Sequence, residues 1–281
     1  MRDAVALLIT VFFVMAITLS LGVGFKYIKD AKQSVSDEQF MLQSSAMVED
    51  LLSIIRDSKQ IKDIKDAQDL SLFLAESSFI PLSYKDSTIT IEISSAREKL
   101  NLNIFKDKER LEILKRYLLS KMVVVEFADI LTDSMDGIKE DLSYHTDIFD
   151  ANPNLFRNYI TSYEHLDKLI EIYKNKYHDN HIKNIDIEKL FFLSKDTTTK
   201  VDLNFATNEV WELMLGCSKV RAEELSSNAG SYKQLDDLNL NDEEVKMLNK
   251  FHYSFYEPFL NIKLNISQDD KQSSFEFDIG I

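Results

Sequence analysis

Phe259-Leu260-Asn261-Ile262-Lys263-Leu264-Asn265-Ile266 alternates apolar and polar side chains from Leu260 onward, the spacing of a strand with one face buried. Gln268-Asp269-Asp270-Lys271 turns the chain, and Phe275-Glu276-Phe277-Asp278-Ile279 alternates back, so the two stretches read as a hairpin. A hairpin alone is marginal in water, and this one needs further strands. They lie far upstream. Thr88-Ile89-Thr90-Ile91-Glu92-Ile93-Ser94 has the same period of two, Lys99-Leu100-Asn101-Leu102-Asn103-Ile104 alternates too, and Pro81 with Tyr84-Lys85-Asp86-Ser87 marks the entrance.

Between these strands, from Lys108 to about Phe251, apolar residues recur at helical spacing. Helices are predicted over 108–132, 161–176, 186–194, 207–216, 219–226 and 241–251, with Thr161 and Glu164 as a capping box. The economical fold is α+β: an antiparallel sheet packed on a long N-terminal helix, with an α-helical domain inserted between its strands. The chain then divides into an apolar start (1–25), the outer helix with the first strands (26–107), the inserted helical domain (108–251) and the terminal strands (252–281).

Val5 to Phe25 carries no charged residue. As a helix it spans about 31 Å, the thickness of a hydrocarbon core, so a retained single-pass span is expected rather than a cleaved secretory signal. No Pro or Gly interrupts Lys26 to Ser58, and Val48, Leu51, Leu52 and Ile55 form one apolar stripe. The membrane helix therefore continues into solvent as a rod of about 50 residues, on the order of 75 Å long. Lys26, Lys29 and Lys32 after the span, against Arg2 before it, would by count place the following domain in the cytoplasm; Asp30 and Asp37 weaken that bias.

The 281 residues are 44% apolar, enough for a packed core, and 6 Gly with 3 Pro favour helix over hairpin turns. A net charge of −14 argues against nucleic acid as a partner, because nothing here could neutralise a row of phosphates. The single cysteine, Cys217, excludes an internal disulfide, and Leu215-Gly216-Cys217-Ser218-Lys219 offers a nucleophile little activation. Glycine patterns for nucleotide binding or a serine nucleophile are absent, so the chain does not read as an enzyme.

Asp129, Asp133, Asp136, Glu140 and Asp141 crowd one stretch around Gly137, a candidate calcium loop that departs from the helix–loop–helix spacing; a solvated acidic loop is the plainer reading. His178 and His181 could share a helix face for zinc, but Asp179-Asn180 reads as a turn and makes them surface residues. Asp202 to Thr207 followed by Glu209 to Leu225 resembles one helix-hairpin-helix unit, here ringed by acids and read as structural. Ser162-Tyr163-Glu164-His165-Leu166-Asp167-Lys168-Leu169 echoes Ser231-Tyr232-Lys233-Gln234-Leu235-Asp236-Asp237-Leu238, a hint of two related helical units.

Taken in order, several of these stretches resemble the minor pseudopilin K (GspK) family of bacterial type II secretion. Arg2-Asp3-Ala4-Val5-Ala6-Leu7-Leu8-Ile9 is similar to that family's opening, and Leu100-Asn101-Leu102-Asn103 to its F-N-L-N strand. Phe127 to Leu131 and Glu140 to Tyr144 resemble its acidic stretch, Asn158 to Leu169 its N-x-x-(x)-S-x-x-E-L element, and Val201 to Thr207 its strand-to-helix turn. The resemblance implies a pilin-like fold with a helical insert, an inner-membrane anchor and a periplasmic globular part, which outweighs the lysine count. It implies cleavage by a prepilin peptidase, here between Ala4 and Val5, with Ala4 where the enzyme normally meets Gly and Ile9 at the fifth mature position. It implies a tip complex with I- and J-type minor pseudopilins, a major pseudopilin and an inner-membrane assembly platform, and calcium held by Asp129, Asp133, Glu140 and Asp141, to which the spacing adds Asp136. Ile130 and Thr132 stand where the family often has Trp and Asp. The other readings are a minor pilin of a type IV pilus or competence system and a membrane-tethered calcium-binding or sensor domain.

Overall fold

The computed structural model describes residues 37–84, 87–139, 143–268 and 271–281. Val5–Phe25, Ala4, Glu140 and Asp141 lie outside them. Among the described residues no helix is long and apolar enough to cross a membrane. The chain forms two compact units: one contains the chain up to Ala96 together with Pro258–Ile281, the other is Arg97–Glu257.

In the first unit, helices α1 (Asp37–Asp57) and α2 (Ala67–Ser77) precede strands β1 (Phe79–Tyr84) and β2 (Ser87–Ser95). With the C-terminal strands β7 (Phe259–Gln268) and β8 (Lys271–Gly280) they form one sheet, of order β1-β2-β7-β8 and antiparallel throughout. The alternation sets one buried face. Ile89, Ile91 and Ile93 oppose Ile266, Leu264 and Ile262, and all six are buried with Val48, Leu51 and Ile55 of α1. Truncating such a residue to Ala costs about 2–5 kcal/mol. β1 gave no clear sequence signal because Pro81 interrupts it; an edge strand tolerates proline, which has no N–H to donate to a ladder.

The second unit is inserted between β2 and its direct neighbour β7, and Ala96 N–H donates to Phe259 O at 2.9 Å where the chain leaves and returns. Its elements are β3 (Leu100–Asn101), α3 (Lys108–Ser120), α4 (Glu126–Met135), α5 (Tyr163–Tyr177), β4 (Phe191–Phe192), β5 (Val201–Asp202), α6 (Asn208–Leu215), α7 (Lys219–Ser227), α8 (Asp242–Leu248) and β6 (Tyr253–Ser254), joined by short helical turns. Trp211, Tyr173 and Phe105 lie in its core. The unit thus extends past 108–251 at both ends. Leu100-Asn101 belongs to it, because it pairs in parallel with Phe191-Phe192, and Leu102–Lys106 is a 3-10 helix rather than a continued strand.

The helix expected over 108–132 is two helices. Lys121 ends α3, Met122 takes the left-handed conformation (φ 64°), and the amides of Met122 and Val123 bond Leu119 O and Leu118 O. That is a Schellman cap, with buried Val123 as its apolar contact; methionine holds the position where glycine would have announced the stop. Similarly, Ser162 rather than Thr161 caps α5, its hydroxyl accepting from His165 N–H.

Two asparagine clamps organise the insert. Asn103 Nδ2 donates to Ile160 O and Ser194 O, and its Oδ1 accepts from Ile160 N–H. Asn204 repeats this with Tyr232 O and Phe255 O as acceptors and Tyr232 N–H as donor. Each asparagine follows a two-residue parallel bridge, β3–β4 or β5–β6, and each has its amide bonded two residues back, to Asn101 Oδ1 or Asp202 Oδ1. The sequence echo from Ser162 and Ser231 pairs Tyr163 with Tyr232. The clamps instead pair Ile160 with Tyr232, three residues out of register.

Candidate functional site

The acidic stretch occupies α4 and the loop after it. Amphipathic α4 turns Ile130 and Leu131 into the core, and Asp133 goes in with them, fully buried. Its two oxygens accept from the main-chain amides of His145 (2.9 Å) and Thr146 (2.7 Å), from the Thr146 hydroxyl (2.7 Å) and contact His145 Nδ1 (3.0 Å). Asp129 is elsewhere, paired with Lys115 of α3 at 2.9 Å. Asp136 caps the end of α4 and pairs with Lys139 at 2.8 Å, a contact that raises the lysine's pKa.

The loop's carbonyls are similarly engaged. Lys106 Nζ donates to Met135 O and Lys139 Nζ to Ser143 O. Asn158 N–H bonds Ser134 O, and the Tyr144 hydroxyl donates to Gly137 O, where φ of +79° favours glycine. Lys139 N–H and Arg157 Nη1 in turn donate to Tyr144 Oη; although burial pushes that phenol up, these donors bring its pKa below the ordinary value. Arg157 also stacks 3.8 Å over Phe149.

One ligand atom each from Asp133, Asp136 and His145 lies within 4.8 Å of the others. Asp133 and His145 already contact each other, and Asp136 is paired with Lys139. A calcium ion takes roughly six to eight oxygens. The described residues of this stretch do not fit one, because each carboxylate and each loop carbonyl named above holds a protein donor.

His178 ends α5 in the left-handed conformation, and His181 contacts Asp179 through Nδ1 at 2.6 Å. Asp179 opens the turn that the sequence predicts. It is buried and accepts from Val124 N–H, His181 N–H and the Tyr173 hydroxyl. Burial alone would raise its pKa, but these donors outweigh burial and hold it well below the usual carboxylate range. Only its spacing after a helix end hinted at this, the pattern of a side chain that bonds local backbone.

In the helix-hairpin-helix-like unit, α6 and α7 meet through Gly216 (φ 63°) and Ser218, which caps α7. Arg221 is spent on Glu224, Glu244 and the carbonyls of Leu238 and Asn239. Cys217 donates to Trp211 O, and burial pushes its thiol up to about 11, the wrong direction for a nucleophile.

No protein-family model matches the chain, and no curated protein is similar to it. Among solved structures, a chain of the GspK-GspI-GspJ complex from the type 2 secretion system of enterotoxigenic Escherichia coli is similar, with a TM-score of 0.60 and 13% identity. The likeness covers 87% of this chain and 92% of that one. At this identity it is a likeness of fold, and it extends over both units.

Proposed function

We propose that the chain is a K-type minor pseudopilin, part of the tip complex of a type II secretion pseudopilus. One observation carries the reading: a helical unit, Arg97–Glu257, inserted between two directly paired strands, in a fold shared over 87% of the chain with a chain of a GspK-GspI-GspJ complex. The role is structural. The Val5–Phe25 helix would hold the subunit in the inner membrane, with the globular part in the periplasm, until it packs against neighbouring helices of I- and J-type minor pseudopilins. The major pseudopilin and the assembly platform would extend the filament beneath, after prepilin peptidase has cut between Ala4 and Val5. The bulk of the insert would prevent another subunit from stacking above it, as a tip requires.

Deletion of the gene tests this in the native organism. The expected outcome is loss of exoprotein export with piliation intact, and co-purification of the tagged protein with two pilin-like proteins encoded beside it. Loss of piliation with export intact would make it a minor pilin instead.

A further inference from the structure

The described carboxylates of the acidic stretch, Asp129, Asp133 and Asp136, already have protein donors in place. Lys115 faces Asp129, Lys139 bridges Asp136 to Ser143 O, and Lys106 holds Met135 O. Two main-chain amides and a hydroxyl fill Asp133. We propose that lysines do here the work of a divalent cation: Lys106 and Lys139 brace the loop, Lys115 holds α4 through Asp129, and the inserted unit folds without calcium.

A calcium ion entering at Asp133 would displace the His145 and Thr146 amides from a fully buried carboxylate and leave them without acceptors. Entering at Asp136, it would set a double positive charge beside the Lys139 ammonium, on the same carboxylate. Entering at Asp129, it would meet Lys115 in the same way. Two carboxylates alone, Glu140 and Asp141, fall short of the oxygen count calcium takes. The cations also reach where one ion could not: Lys106 and Lys139 lie on opposite sides of the α4 terminus in sequence, and Arg157 steadies Tyr144 from a third segment.

Thermal unfolding of the full-length protein in detergent, with chelator and then with millimolar calcium chloride, tests this. The two midpoints should agree within about 1 °C; a rise of about 3 °C or more in calcium would overturn the proposal. Lys139→Met should lower the midpoint in chelator by roughly 2–4 °C, and an unchanged midpoint would equally overturn it.

Discussion

The two clamps of the inserted unit have the same plan and different chemistry. At the first, Asn101 uses both ends of its amide: Oδ1 accepts from Asn103 and Ser194 N–H, while Nδ2 donates to Ser194 O and Asp196 O. At the second, Asp202 is surrounded by donors only, the amides of Asn204 (3.0 Å) and Glu257 (2.8 Å). The backbone thus decides which side chain fits: carbonyls facing inward demand an amide, amides facing inward accept a carboxylate. The carboxylate comes at a cost. Asp202 is fully buried with no cation against it among the described residues, and burial, with nearby Glu257 adding to it, pushes its pKa up to about 6.

If the clamps are equivalent, Asn103→Ala and Asn204→Ala should do equal damage. Each removes three hydrogen bonds: Asn103→Ala takes the partner from Ile160 O and Ile160 N–H while Ser194 O keeps Asn101 Nδ2, and Asn204→Ala takes it from Tyr232 N–H and from the carbonyls of Tyr232 and Phe255. Urea unfolding should show a loss of about 3–5 kcal/mol for each. A clearly smaller loss at one position would break the equivalence and name the other as the anchor of the insert.

Where the clamps differ, pH separates them. Because the folded pKa of Asp202 lies above its ordinary value of 3.8, the protonated form is favoured by folding. Its stabilising contribution is therefore full below 3.8 and is lost as pH rises to about 6, a change of about 3 kcal/mol across that window. Asp202→Asn should remove this slope from the stability–pH curve, whereas Asn101→Ala should lower the curve without changing its slope. An unchanged slope in Asp202→Asn would show that another group titrates there.

The sheet was legible because Ile89–Ile93 and Leu260–Ile266 alternate over enough residues to declare a buried face. The insert followed from their separation in the chain. The clamps were not legible as clamps, because β4, β5 and β6 are two residues each and have no period to read. What holds them is long-range: Asn103 reaches Ile160 and Ser194, and no local spacing encodes that. The acids around Gly137 were visible as a cluster, but Lys115 and Lys106, which answer Asp129 and Met135 O, come from elements that only folding brings near. Charge counted along the chain overstated the vacancy of those carboxylates.

The echo between Tyr163 and Tyr232 offers the finest discrimination. Both hydroxyls donate to a carbonyl, Tyr163 to Phe191 O at 2.6 Å and Tyr232 to Leu225 O at 2.7 Å. Tyr163 is 37% exposed and Tyr232 only 4%, so water can replace the lost partner at the first site and cannot at the second. Tyr232→Phe should cost about 1 kcal/mol in calorimetric unfolding, Tyr163→Phe about half of that or less. If the costs match, the two tyrosines are structural equivalents and the register set by Ser162 and Ser231 stands. A twofold gap or more supports the register set by Asn103 and Asn204, in which Tyr232 answers to Ile160, a residue with no hydroxyl to lose.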